Sequence, residues 1–390
     1  MRQAVGRSKE ETLSMLWYDE YKRRLWMNLF IWDGHTAVVL GRPRCINESD
    51  CDIKTPIDCD IPPHPTETLP IATGPHDKPS AFSERLFQYR LARKIHEMRA
   101  LGADRPAQED YSVVDNFHNQ LTSMLDSVPT YLRPHNPDTS WDSEFRFLPL
   151  QREYVLTGVN ATLMALHRSH VSTRLESRVA ALEAATMALG SQKRMFEASD
   201  PSYYKTFTLS FCTVDAGVLL SALAVAYPPE EPALTQQIDT VLGESVAMLA
   251  VLQRYSRIAR SGLLVLRSCH QRFKDRLKIR HVAEIKGATA VPVAVTAHAQ
   301  PFGMEQWATL DSGSEGVFPD AWKSTDGTDQ MAPSDFETAF PTGLDDTDIW
   351  SYTSDLDFSY WNQHVDQITN DISDAPSAEL TWDSLLNAGK

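Results

Sequence analysis

Apolar residues recur every three or four positions in eight segments of the first 286 residues, and this spacing limits the fold more than any other feature. No window alternates between apolar and polar residues with the period of two that a half-buried strand would show. The later segments are also rich in Ala, Leu, Glu, Gln and Arg, which favour helix. We therefore predict an all-α fold, an irregular multi-helix bundle. The predicted helices cover residues 8–40, 80–101, 111–125, 150–171, 172–198, 203–227, 232–255 and 256–286.

The composition changes abruptly after this helical part and divides the chain into three segments. Residues 1–286 form the predicted helical domain, residues 287–301 are a linker rich in Ala, Val and Thr, and residues 302–390 are rich in Asp, Ser, Thr, Gly and Pro. From residue 301 onward there are 18 acidic and two basic residues, so this part carries the whole excess of the net charge of −15. Such a composition buries too little apolar area to offset the entropy of ordering, which predicts a disordered acidic tail.

The tail is unusual for a disordered segment because five of the nine tryptophans lie in it, interleaved with carboxylates. Repulsion between the carboxylates keeps the aromatic residues available to a partner, which captures a short stretch as an amphipathic helix. Acidic-hydrophobic alternation is typical of transcriptional activation segments, whose partners are coactivators or the transcription machinery. The alternative is a tail that folds back on the body. The predicted contact residues are Trp350, Phe358, Trp361, Trp382 and Leu385.

Motifs of catalysis and of metal or cofactor binding are missing from the sequence. There is no nucleophile elbow, no dinucleotide fingerprint and no phosphate-binding loop. Cys45, Cys51 and Cys59 share one loop, but no Cys-x-x-Cys pair or nearby histidine completes a tetrahedral zinc set. We predict neither an enzyme nor a resident metal or cofactor, and a helical enzyme or ligand-binding module stays as the alternative.

Two further segments bear on location. The longest apolar stretch, residues 216–227, is shorter than the roughly 20 residues of a membrane helix, which argues against a membrane protein. Residues 254–281 are rich in Arg and Lys. They are interpreted as a solvated helix face closing the bundle, with a nuclear localisation signal or a phosphate contact as the alternative.

Residues 23–62 resemble the central signature of the fungal-specific transcription factor domain, the helical middle region of fungal zinc binuclear cluster regulators. The resemblance continues in Leu166-His167-Arg168. It implies a nuclear regulator that acts through protein partners, as a homodimer or heterodimer. The family's six-cysteine zinc cluster and the first helices of its domain are missing from this sequence, so direct DNA binding by that route is not expected. The signature residues are Arg23, Arg24, Trp26, Asp33, Gly41, Arg42 and Pro43.

The signature also has a physical interpretation. Arg23, Arg24 and Asp33 are charges on one long helix, and a buried arginine usually pairs with a carboxylate, so a structural role is favoured over an inducer-binding or partner-binding role. Gly41 and Pro43 make a sharp turn that leaves Arg42 able to bond helix carbonyls or Asp50 and Asp52. Gly34 stands where the family often has Arg, and it weakens the helix by about 1 kcal/mol relative to Ala.

Overall fold

The computed structural model describes residues 8–39, 41–47, 49, 51–74, 77–106 and 110–287. Within these ranges it consists of eight α-helices and contains no strand, so the all-α prediction is confirmed. Every predicted helix is present, and no end differs by more than four residues from its predicted position. Residues 288–301 and the tail lie outside the described residues, and the three-segment division stays a prediction. The helices are α1 Lys9–Val39, α2 Ser83–Ala100, α3 Ser112–Met124, α4 Leu148–Arg168, α5 Leu175–Ala198, α6 Phe207–Ala226, α7 Pro232–Leu252 and α8 Arg257–Gly287.

Both ends of α1 are capped by motifs formed by neighbouring residues. At the start, the Ser8 hydroxyl accepts from the Glu11 N–H at 3.1 Å, and the Glu11 carboxylate accepts from the Ser8 N–H at 2.9 Å. This reciprocal capping box satisfies two donors that a helix start leaves unpaired. At the other end Gly41 adopts a φ of 62°, and the Arg42 N–H donates to the Ala37 carbonyl at 2.9 Å. That bond is the longer-range hydrogen bond of a Schellman motif. The motif requires a residue in the left-handed conformation, which glycine adopts without strain.

The larger hydrophobic core joins α2 to α8, with α6 at its centre. Helix α6 is apolar on all sides, as expected for a helix that is covered on every face. By length and composition it could cross a membrane, but 83% of its apolar window is buried within the protein, as in the core helix of a soluble domain. It is also longer than the apolar stretch read from the sequence, because Phe207 to Ala216 continues the helix toward its start.

Helices α6 and α8 approach closely at two glycines. A Cβ atom at position 217 would lie 2.6 Å from Leu266 Cδ1, and a Cβ atom at 262 would overlap the side chain of Val214. The missing side chains therefore create the space into which Leu266 and Val214 pack.

A second, smaller core lies between α1 and α2 and consists of Met27, Phe30, Ile31, Tyr89 and Ala92. Helix α2 belongs to both cores, since its Phe87, Leu91, Ile95 and Met98 pack into the larger one. The first helix is attached to the bundle through α2, through Val38 in the larger core and through contacts with α4. It is also joined to the bundle by the long loop of residues 41–82, which we call the signature loop.

Candidate functional site: the signature region

Glu20 is the centre of the polar contacts in the signature region. It is fully buried, and its carboxylate accepts from Arg23 at 2.8 Å, from Arg24 at 2.9 Å and from the Ile57 N–H at 2.9 Å. Arg24 in turn donates to the carbonyl oxygens of Cys59 at 2.8 Å and Ile57 at 3.2 Å. The buried ion pair of Glu20 and Arg24 therefore holds the signature loop against α1 at residues 57–59. Glutamate is rarely buried without such partners.

Two other side chains of α1 attach the loop on either side of this point. The Trp17 indole N–H donates to the Thr68 carbonyl at 2.8 Å. The Asp33 carboxylate accepts from the backbone N–H groups of Cys45 and Ile46 at 2.7 and 2.9 Å. Asp33 thereby satisfies two donors of the chain that leaves the helix, a task that a carboxylate performs well.

The signature loop also closes the start of α2. The Asp58 carboxylate accepts from the Ser83 hydroxyl at 2.9 Å, and Asp60 accepts from the Ala81 N–H at 2.9 Å. Carboxylates are favoured at a helix N-terminus because the helix dipole is positive there. Burial raises the pKa of Asp58, although its hydrogen bond to Ser83 opposes that shift.

Trp26 and Gly34 lie where α1 packs against α2. The Trp26 ring stacks on Phe30 with centroids 5.2 Å apart, and it meets Tyr89 edge-on at 6.2 Å. A Cβ atom at Gly34 would lie 3.3 Å from the His96 ring, so the absence of a side chain at position 34 leaves room for that ring. The His96 pKa is lowered to about 4, chiefly by burial and then by the neighbouring Arg44 guanidinium, which contacts its Nδ1.

Arg42 has main-chain contacts with two helices. The residue is exposed, and it is tied to the fold through its main chain. Its N–H donates to Ala37, and its carbonyl accepts from Arg99 at 3.0 Å, while Arg99 also pairs with Asp104 at 2.8 Å. The main chain of Arg42 therefore engages α1 through its N–H and α2 through its carbonyl. Gly41 and Pro43 are exposed beside it, and Asp50 lies outside the described residues.

The Leu166-His167-Arg168 element forms a separate polar cluster. His167 Nε2 lies 2.9 Å from His118 Nδ1, and its Nδ1 lies 3.1 Å from the Ser177 hydroxyl. Burial, followed by the neighbouring His118, lowers the pKa of His167 to about 3, so the ring is neutral at physiological pH. Arg168 pairs with Asp215 of α6 at 2.7 Å, and both side chains are largely buried. Sequence reasoning missed the His118–His167 pair because the two residues are 49 positions apart.

These clusters consist of hydrogen bonds and ion pairs that join neighbouring helices and the signature loop. Within the described residues no set of three or more His, Cys, Asp or Glu side chains is placed to hold a metal ion. The thiol of Cys59 is buried near Arg24, and burial raises its pKa, which makes it a poor nucleophile.

The surface of the signature region is more apolar than the rest. Of sixteen large apolar side chains exposed among the described residues, nine lie between Met15 and Ile71. On α1 they include Tyr18, Leu25 and Leu29, whose exposed fractions are 46%, 63% and 54%.

Helix α8 presents a different surface. Six arginines of its outward half and of the turn before it are exposed, and Lys274 pairs with Asp239 of α7 at 3.6 Å. The same aspartate accepts from His270 at 2.6 Å. The outward half of the helix is thus solvated and basic while its inner face enters the larger core. The exposed arginines are Arg254, Arg257, Arg260, Arg267, Arg272 and Arg276.

The fold and these contacts define an all-α domain in which one long helix holds a proline-rich loop through buried charges. Residues 1–143 match the model of the fungal specific transcription factor domain, so the resemblance read from the sequence is confirmed. The match covers α1 to α3 and all seven signature residues. The Leu166-His167-Arg168 element lies beyond it. No curated protein matches the chain, and no solved structure does either.

The predicted partner-binding residues of the tail, Trp350, Phe358, Trp361, Trp382 and Leu385, lie outside the described residues. Their role stays a prediction.

Proposed function

We propose that this chain is a nuclear transcription regulator of the fungal type, with a helical regulatory domain and an acidic activation tail. The match of residues 1–143 to the fungal specific transcription factor domain carries the proposal. The composition of residues 302–390, in which tryptophans alternate with carboxylates, supports the activation part of it.

The two parts have different tasks in this proposal. The helical domain is a scaffold held together by its two apolar cores and by buried ion pairs. The tail recruits coactivators or the transcription machinery by placing short aromatic stretches in an apolar groove with a basic rim. Its affinity is modest, because the ordering entropy is lost on binding.

The proposal assigns no DNA contact to the residues of this sequence. None of the five cysteines belongs to a Cys-x-x-Cys pair, the step from which the family's zinc cluster is built.

The test is a reporter assay with the full chain fused to an unrelated DNA-binding domain. We expect strong activation, and its loss when Trp350, Phe358, Trp361 and Trp382 are all replaced by Ala. The matched control replaces Ser351, Ser354, Ser359 and Ser384 by Ala in the same stretch and retains activation. Equal output from the two variants would remove those four aromatic residues from the proposal.

A second candidate is a helical interaction module that pairs with full-length regulators and has no activation activity. The exposed apolar side chains of α1 favour it, because a surface of this kind requires a partner. It predicts no reporter output from the parent fusion, together with co-purification of a zinc cluster regulator from fungal nuclei. The polar clusters of the described residues do not specifically support the helical enzyme alternative.

A further inference from the structure

The exposed side of α8 carries an excess of positive charge that the described residues leave unbalanced. Residues 254–277 contain seven Arg or Lys and a single acidic residue, Asp275, which accepts from Gln271 at 2.9 Å. Among the described residues, no carboxylate pairs with any of the six exposed arginines named above. Elsewhere in the bundle arginines such as Arg152 and Arg168 do pair with carboxylates, at 2.6 and 2.7 Å. The charge of α8 is therefore available to an acidic partner.

The same side of the helix also exposes an apolar side chain. Leu264 is 57% exposed, and Arg260 and Arg267 lie one helical turn before and after it. A partner of this surface therefore needs both carboxylates and apolar side chains, since complementary charge selects a partner and the leucine adds an apolar contact. We call this surface the outer face of α8. It consists of Arg257, Arg260, Leu264, Arg267, Arg272 and Arg276.

We propose that residues 346–361 of the tail dock on the outer face of α8 in the same chain. These residues contain four aspartates, five aromatic residues and no basic residue. In the docked state the carboxylates pair with the arginines, and an apolar side chain of the tail covers Leu264. Charge-assisted pairs between arginine and carboxylate supply the specificity.

The dimensions suit this contact. From Arg257 to Arg276 the outer face is about 29 Å long, at a rise of 1.5 Å per residue. The composition predicts that residues 288–345 connect α8 to the docking stretch as a disordered chain. A disordered chain of that length has a root-mean-square span of about 40 Å, which is close to the distance that it has to bridge. The tethered stretch is therefore present near α8 at an effective concentration of the order of 1 mM.

The tether favours the tail over nucleic acid as the occupant. Phosphates would pair with the arginines, but the sugar-phosphate backbone offers no apolar group to Leu264. A nucleic acid would also have to displace carboxylates that are always attached nearby. Docking requires no activation activity, so it goes beyond the proposed function and is measured without a reporter.

Docking is measured on the full chain by energy transfer between dyes at Thr240→Cys and Ser351→Cys. Thr240 is exposed on α7, next to the Asp239 that contacts Lys274 of α8, and it lies outside the outer face. Cys45 and Cys51 are replaced by Ser, and burial raises the pKa of each remaining thiol, so the dyes attach at the two chosen sites. Circular dichroism verifies that each variant is folded.

The decisive variant replaces four arginines of the outer face by Gln, which keeps a high helix propensity. We expect transfer to fall about twofold or more, because the released tail then samples the full span of its connection. Salt at 1 M should have the same effect on the parent, since it screens charges beyond about 3 Å. The control replaces four exposed arginines of other surfaces and retains the transfer of the parent. The first set is Arg257, Arg260, Arg267 and Arg272, and the second is Arg42, Arg90, Arg105 and Arg146.

Three results would overturn the proposal. The first is equal transfer in the two sets of variants, or transfer that salt does not change. The second is transfer that disappears when an excess of unlabelled chain is added, because the tail would then dock on another copy. The third is binding of a labelled duplex of random sequence by the parent that the first set abolishes while transfer stays the same, which would make the outer face a nucleic-acid surface.

Discussion

The signature region and the larger bundle are stabilised by different means, although both are helical. In α4 to α8 the helices pack through alanines, glycines and leucines into one apolar core, and the buried Arg168–Asp215 pair is an addition to it. In the signature region the apolar cluster of fully buried residues is small, and the loop is held by Glu20, Arg24, Asp33 and the carboxylates at the start of α2.

The two regions are stabilised differently because the bundle packs helices together, whereas the signature region attaches a loop to a helix. Helices bury broad apolar stripes against each other, whereas a proline-rich loop offers few apolar side chains and many unpaired backbone groups. Buried charges on α1 satisfy those backbone groups. We therefore expect the bundle to respond mainly to changes of volume, and the signature region to respond mainly to loss of a charge.

The largest effect is expected from Phe273→Ala in α8, which empties a fully buried site in the larger core. It should lower the free energy of global unfolding by about 4 kcal/mol. The comparison variant is Phe30→Ala, also fully buried but in the smaller core, for which we expect about 3 kcal/mol. Denaturant titration and hydrogen exchange check both. If the two regions differ as described, Phe30→Ala loosens α1 and the signature loop before α4 to α6, and simultaneous loss everywhere would contradict this.

The next effect is that of Arg24→Ala, which deprives the fully buried Glu20 of its more buried arginine partner and the carbonyls of Ile57 and Cys59 of their donor. Removal of one member of a buried pair costs about 3 kcal/mol or more. Arg23→Ala is the matched variant, since it pairs with the same carboxylate from a more exposed position and should cost less than about 1 kcal/mol. Limited proteolysis reports opening of the signature loop. Equal cleavage of the two variants would show that Arg24 has no special role in holding it.

A smaller effect is expected from Gly262→Ala in α8, because the added methyl group overlaps Val214, whose branched side chain moves little. The expected loss of stability is about 2 kcal/mol. Gly190→Ala in α5 is the control, since its nearest neighbour is the flexible end of Arg194 at 3.4 Å. There the gain in helix propensity should stabilise the protein by up to about 1 kcal/mol. The melting temperature of each variant shows whether the substitution stabilises or destabilises the protein.

The smallest effect concerns pH. The folded-state pKa of His167 is lowered to about 3 from the usual 6.5. Below about pH 6.5 this histidine therefore binds a proton in the unfolded chain but not in the folded protein. Stability therefore falls as the pH is lowered from about 6.5 toward 3. Replacement by Gln should remove about 1 kcal/mol of the loss that the parent shows between pH 6.5 and 5.5. The measurement is urea unfolding at each pH.

Two other groups of residues influence the same titration. His35 and His96, each with a pKa lowered to about 4, contribute in the same direction. The carboxyl groups of Asp58, Glu84 and Asp215, whose pKa burial raises, act in the opposite direction at the acid end. The difference between His167→Gln and the parent isolates the one histidine, and an unchanged pH slope would refute its assignment.

Local sequence was sufficient for much of the fold because its signals act over one or two helical turns. The apolar spacing predicted α1 to α8, Gly41 predicted the end of the first helix, and the signature residues predicted the family match. Each of these depends on neighbours only a few positions away.

Contacts between distant residues were out of reach of the same reasoning. Glu20 looked like any glutamate on a helix, and only the path of the signature loop made it the most buried carboxylate of the region. Gly34 looked like a weak point in α1, and the position of His96 gave it a packing role.

By itself the sequence determined the helices, their ends, the neutral body and the acidic, tryptophan-rich tail, because composition and periodicity act along the chain. The tertiary structure decided which charges are buried together, which histidines meet, and which face of α1 is buried. Those outcomes depend on how helices and loop are placed in space, where residues 30 to 50 positions apart come within hydrogen-bonding distance.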